Sequence, residues 1–518
     1  MAANRQVPAA TTMDDGRDAR PHMAWWNTRW CLAGLVILSL APLMLPAMPP
    51  LLDLPGHMGR YRVMLGTDPG LAQWYDFHWQ AVGYLGADLL VLALSPITGL
   101  EPAVKLVVIA IALLATTGIL WTSREAHGRV QPLALAALPL VYNFAFHWGF
   151  LNYTLSMALT LNAFALWLRL GRLERWRLRA VLFVPIACGI WVAHLFGWIA
   201  LCVLVFGAEC ARQRISKTGL LRRLWMAGLN CLPLALPMLM FFIWWPTDGN
   251  AESDYVANLR LKPIWLITTL RDRWKWLDIG SSILIAVLLY GAIRQASRQI
   301  AIPLVFATFG LLLLYVALPF GSAYLDARLA PYVLIMALLV PSANAMTARA
   351  SGTLAFVCLS FFLGRTAATT TSLALNARDW DHHLVAIEHI PHGARVAAFV
   401  TNPCPRPWAV DRLNHLPSFA IVRRGAFTND QFDLGNTALL KVTAPGLGRY
   451  AIDPSQIVTE TACAPGIATL ADALRGLPRT RFDYVWLIDP PARRDPRLTA
   501  GMTPVWSDGR DLLLRIAR

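Results

Sequence analysis

The chain has 518 residues, with 46 Lys and Arg against 31 Asp and Glu; only 15% of residues are charged and 56% are hydrophobic. A soluble domain usually carries about 25% charged residues, so a globule of this length would lack the polar material to coat itself, which argues against a soluble enzyme. The formal net charge of +15 does not point to nucleic acid, because no basic, aromatic-interleaved soluble face accompanies it.

Several apolar runs approach the roughly 20 residues that a helix needs to cross a bilayer. Residues 1–29 are polar and mixed in charge and read as a disordered cytoplasmic leader. The run 30–47 has no small-residue cleavage site after it, so it is expected to stay as a signal anchor with the N-terminus inside. A polar stretch, 49–80, contains "LLDLPGHMGRYRVML" and "AQWYDFHWQ". The following run, 82–99, is short and carries Asp88 and Pro96, which suits an interfacial helix better than a crossing. Spans are expected at 102–122, 131–148 and 150–170, the last ending in the basic cluster "RLGRLERWRLR". Residues 180–209 lie between that cluster and "ARQRISKTGLLRR"; two helices meeting near His194 and Gly197 return both clusters to the inner side. Further spans at 224–245, 277–294, 300–318, 329–347 and 351–370 bring the total to about eleven. The excess of Lys and Arg falls on the segments this topology places inside, the positive-inside pattern.

The fold class expected is therefore a polytopic all-α membrane domain, 30–371, with the N-terminus inside, the C-terminus outside and interfacial helices in the first outer loop. A small extracytoplasmic α/β domain, 372–518, follows. In it the runs 395–400, 418–422, 483–488 and 512–516 read as strands and 467–476 as a helix. Six cysteines are scattered in or beside apolar spans and read as small buried hydrophobes. Cys404 and Cys463 stand apart in the polar tail, where an oxidising compartment would permit a disulfide.

The strongest constellation follows the first span. Asp53, His57 and Arg60 fall at i, i+4 and i+7, so a helix beginning there puts a carboxylate, an imidazole and a guanidinium on one face. The competing role for Asp53 is that of an N-cap ahead of Leu-Pro. A second cluster holds Asp76 and His78 with Trp74 and Trp79, whose rings could stack on a sugar. His147 lies at the turn in "YNFAFHWGFLNY" and His194 at the tip of the helix pair; each is either a cavity residue or a hydrogen-bonded structural one. Arg260 and Lys262 sit in an amphipathic stretch that could equally meet anionic headgroups. Arg328, in "SAYLDARLAPY", is a candidate phosphate contact or a local partner of Asp326. The ligand-like cluster "RDWDHHLVAIEHI" reads more readily as the polar face of a helix than as a metal site. There is no Walker A loop, G-x-S-x-G elbow or H-E-x-x-H.

This order of features resembles the GT-C superfamily of membrane glycosyltransferases: one inward-to-outward span, a long first outer loop opening with an acidic residue, an interfacial helix, many short spans, an Arg-bearing late loop and an outer α/β tail. The resemblance implies transfer of a sugar from a polyprenyl-phosphate donor to a glycan or lipid acceptor at the outer face of a bacterial inner membrane. It further implies Asp53 as catalytic acid residue of the first loop and Arg328 as the basic residue near the donor phosphate. The chain departs from the pattern in having no adjacent acidic pair in that loop, only Asp76 some way on. No cofactor is needed for departure of a phosphate, although a divalent ion stays open. Membrane lipids are the other expected partner, and nucleic acid is not one. The alternative class is a transporter or flippase of lipid-linked saccharides, since short or broken helices occur there too; the lack of an internal repeat and the long tail count against it.

Overall fold

The computed structural model describes residues 24–242, 255–295, 300–318, 324–433, 435–463, 465–493 and 495–517. Most of the leader, the end of the expected span 224–245 and the first residues after it lie outside them. Among the described residues five helices are long and apolar enough to cross a membrane, or six with the pair Leu220–Asn230 and Leu232–Met240, bent by 46°. Four shorter apolar helices accompany them. The chain is a multi-pass membrane protein, and among the described residues the helices long and apolar enough to cross are fewer than eleven.

The spacing of charges locates the elements well. Trp176–Ala193 and Leu195–Gln213 are two helices of 18 and 19 residues broken at His194, as the flanking basic clusters require. The segment expected to lie at the interface is the helix Gly86–Thr98, ended by Gly99. Run 30–47 is less regular than expected. Its helix, Arg29–Ser39, stops before a four-residue turn of helix, Ala41–Met44, that has Pro in its first turn. The expected span 131–148 is likewise broken into Pro132–Ala137, Leu138–Tyr142 and Phe144–His147. The boundary expected at 371 falls inside one continuous helix, Ala348–Leu384, which enters the tail. Lys105 and Arg365, which fall in the expected spans 102–122 and 351–370, are both partnered: Lys105 Nζ donates to the Pro46 carbonyl at 2.6 Å and Arg365 pairs with Asp278 at 2.8 Å.

The strands in chain order are β1 (Tyr75–Phe77), β2 (Arg395–Asn402), β3 (Phe427–Thr428), β4 (Leu440–Val442), β5 (Ile457–Thr459), β6 (Tyr484–Ile488), β7 (Met502–Ser507) and β8 (Leu512–Ile516). β2 is central, parallel to β3 and β5 along one edge and to β6 along the other; β8 then pairs antiparallel with β6, and β7 with β8. Both faces of β6 are buried, as its unbroken apolar run demands. One expectation fails here. Residues 418–422 belong to a helix, Ser418–Arg424, because Pro417 precedes it and Gly425, at φ 54°, closes it; these punctuating residues outweigh the β-rich composition between them.

The tail and the first loop are interwoven. β1 comes from that loop yet pairs antiparallel with β4 of the tail, Tyr75 opposite Val442 and Phe77 opposite Leu440. Leu71, Trp74 and Tyr75 join the tail's own core, and the Tyr75 hydroxyl donates to the Thr428 carbonyl at 3.1 Å. Cys404 and Cys463 form a disulfide that joins the segments following β2 and β5.

Candidate active site

Asp53 occupies the N-cap position of the helix Leu54–Met64, but its side chain accepts no hydrogen bond from that helix. Its backbone is held instead by the turn after Phe144–His147. Leu52 N donates to the His147 carbonyl at 3.1 Å and Asp53 N to that of Trp148 at 2.9 Å. Gly149 permits this approach: it has φ +85°, and a Cβ there would lie 3.1 Å from Leu54 N and 3.2 Å from Asp53 N. The carboxylate is thus freed from capping and directed elsewhere. Its Oδ1 stands 3.8 Å from Nε2 of His415, a tail residue, and the side chain keeps 12% exposure. Burial pushes the Asp53 carboxyl up to about 6, against the opposing pull of His415 and Arg328.

The rest of the expected face separates by partner. His57 stacks on Tyr61 with 6.3 Å between centroids and lies 5.6 Å from the Phe432 ring of the tail. Its Nδ1 is buried without a partner, and burial followed by the charge of Arg60 holds the imidazole well below its usual range. Arg60 turns away to Asp88, 2.8 Å distant and itself fully buried. Asn152 donates to the same carboxylate at 2.9 Å while its oxygen accepts from Ala87 N. Arg60 is therefore spent on a buried pair with a side chain that the sequence placed in a different segment.

Arg328 is placed otherwise. Its guanidinium lies 3.5 Å from the Phe150 centroid and 5.9 Å from that of Tyr153, its Nε has no hydrogen-bond partner, and its charge is felt at Asp53. The local partner expected for it, Asp326, is engaged by Lys262 at 2.9 Å. That pair removes Lys262 from the phosphate candidates and leaves the Arg328 donors available. Arg260 is exposed on the helix Tyr255–Ile267.

His194 caps its helix, Nδ1 accepting from Phe196 N at 3.1 Å, and packs edge-on against Tyr153. His147 is buried and accepts at Nδ1 from Arg412 Nη2 at 3.0 Å. Asp76 and His78 pair with each other at 2.6 Å on the exposed side of the β1–β4 ribbon. Trp74 is corrected: it is core, 6.1 Å from the Phe427 ring, and cannot stack on a sugar, whereas Trp79 stays 47% exposed. The structure brings Asp53, His57 and Arg328 together, sets His194 beside Arg328's neighbour Tyr153, and leaves Asp76, His78, Arg260 and Lys262 apart or occupied.

Three tail residues were missed. His415 faces Asp53; Asp453 Oδ1 stands 3.7 Å from the same Nε2; and Arg412 donates to the Pro50 carbonyl, three residues before Asp53, while pairing with Asp272 at 2.7 Å. No spacing in the sequence marks them, because each reaches the site through docking of the tail. Elsewhere, among the described residues, His383, Asp489 and Asp511 are the one group with ligand atoms within 4.8 Å of one another. Arg510 already fills that place, 3.2 Å from His383 Nε2 and 3.0 Å from Asp489 Oδ2, so the cluster clamps the long helix to the sheet.

No family model and no curated protein matches the chain. Among solved structures it is similar to two crystal structures of ArnT from Cupriavidus metallidurans, one bound to undecaprenyl phosphate and one in the apo state. Each is 14% identical, covering 93% of this chain and 96% of that chain with a TM-score of 0.49. That degree of likeness fixes neither family nor activity.

Proposed function

We propose that the protein is a membrane glycosyltransferase that moves a sugar from a polyprenyl-phosphate donor to an acceptor hydroxyl, with Asp53 as base. The observation that carries this is an aspartate at a helix start whose carboxylate does not cap the helix, is kept 12% exposed between membrane helices and tail, and lies within electrostatic reach of Arg328. Asp53 takes the hydroxyl proton as the acceptor oxygen attacks the anomeric carbon, and in-line attack inverts the configuration there. Arg328 holds the phosphate as charge gathers on it; its planar fork suits phosphate oxygens, and the Phe150 ring beneath fixes its plane. A phosphate is already a good leaving group, so no general acid is required for its departure.

The proposal extends to topology: eleven crossings in the inner membrane, the N-terminus inside, and the site with its tail at the periplasmic face. The acceptor would be an envelope glycan or glycolipid, and the donor sugar a hexose or pentose. The test uses the purified chain in lipid with polyprenyl-phosphate sugars labelled in the sugar. Asp53→Asn is expected to lower kcat by roughly 10²–10⁴-fold with the protein still folded and inserted. Turnover like the wild type's would remove the base assignment, and saccharide movement across vesicles without a new glycosidic bond would favour transport instead.

A further inference from the structure

A proton taken up by Asp53 has to leave before the next acceptor can be deprotonated, and the carboxyl is nearly buried. Two side chains of the tail stand where it would go. His415 is 3% exposed, and its Nδ1 donates to the Asp430 carbonyl at 2.9 Å. In the neutral ring Nε2 therefore carries the lone pair. That nitrogen faces two carboxylates, Asp53 Oδ1 at 3.8 Å and Asp453 Oδ1 at 3.7 Å. Asp453 is oriented by Gln456, whose Nε2 donates to the same Oδ1 at 2.7 Å, and its side chain is 27% exposed against 12% for Asp53. The imidazole is the most enclosed of the three, and of the two carboxylates it faces Asp453 is the one more open to solvent.

We propose that His415 and Asp453 carry the acceptor's proton from Asp53 to solvent, so that the tail is a working part of the site and not only its cover. The proposal rests on Asp53 being the base. In the transfer step the acceptor oxygen bonds to the anomeric carbon, the bond from that carbon to the phosphate oxygen breaks with its electron pair staying on the phosphate, and the hydroxyl proton goes to Asp53. His415 Nε2 takes that proton and becomes imidazolium. The same Nε2–H is given to Asp453, which releases it to water, and His415 and Asp53 return to their starting states. Both gaps exceed a hydrogen bond by about 1 Å, a distance closed by a small swing of the ring or by one bridging water.

The experiment uses the full-length protein in lipid with the polyprenyl-phosphate sugar that the wild type transfers, comparing His415→Ala, Asp453→Asn and Asp53→Asn. Asp453→Asn and His415→Ala are each expected to lose at least roughly tenfold in kcat with KM for the donor unchanged. Imidazole added to His415→Ala is expected to restore part of the rate, which a merely structural loss would not allow. Wild-type kcat in Asp453→Asn, or no recovery with imidazole in a folded His415→Ala, overturns the relay. If His415→Ala does not fold, Asp453→Asn decides alone. Normal turnover by Asp53→Asn in the same assay removes the base, and the relay with it, which separates the two failures.

Discussion

Asp ahead of a helix usually spends its carboxylate on the free N–H groups of the first turn, and Asp53 does not. Its ionisation has a measurable consequence. Burial raises its carboxyl to about 6 from 3.8, and a base acts only when ionised. The rate should therefore fall as pH drops through about 6, where an ordinary carboxylate would hold its activity down to about 4. The same raised value means that the folded chain binds this proton more tightly than the unfolded chain, so Asp53 makes stability decline as pH rises from about 4 to 6. Rate and stability move in opposite directions across that window. A pH profile of kcat/KM with its acid limb near 4 would show that burial does not raise the titrating carboxyl. At this scale the sequence was informative for Asp53 and Arg328, each found near a chain break between apolar runs. It was uninformative for Arg60 and Lys262, whose pairing with Asp88 and Asp326 depends on which helices become neighbours.

Among the elements, Leu54–Met64 does two tasks, presenting Asp53 from its start and the tail's docking face from its first turns. Gly56 is what permits the second. A Cβ there would come within 2.7 Å of the Phe432 ring, closer than real side chains approach, and a tight 3.3 Å from His415 Nδ1. Gly56→Ala is expected to push Phe432 and His415 aside, lowering kcat several-fold while leaving membrane insertion intact. Unchanged kcat in detergent-purified Gly56→Ala would show that the tail yields there without consequence. Helix breaks at His194 and Gly99 were legible because charge clusters and glycine bound them. The helix at 418–424 was not, since its interior reads as strand and only Pro417 and Gly425 reveal it. β1 was illegible for a different reason: three residues carry no periodicity, and their partner lies in the distant segment Leu440–Val442.

For the whole molecule, the composition identified a membrane domain and a polar tail, yet it could not show that the two close on one another over Asp53. The lock is Arg412, 3% exposed. It donates to the Pro50 carbonyl, to His147 and to Asp272, and Asp272 is held in turn by Ser372 at 2.8 Å. One side chain therefore ties together the approach to Asp53, the turn that holds its backbone, the loop before Lys275–Gln295 and the tail. Removing one partner of a buried ion pair costs about 3–5 kcal/mol, because the other charge is left without compensation. Arg412→Ala should accordingly destabilise the folded protein by about that amount and open the tail to limited proteolysis. Replacing Asp272 as well should recover part of the loss, since no uncompensated carboxylate then remains. If thermal unfolding of Arg412→Ala in detergent matches the wild type, the pair is not what holds the tail, and docking must rest on the β1–β4 ribbon and the aromatic contacts of Trp74 and Phe432.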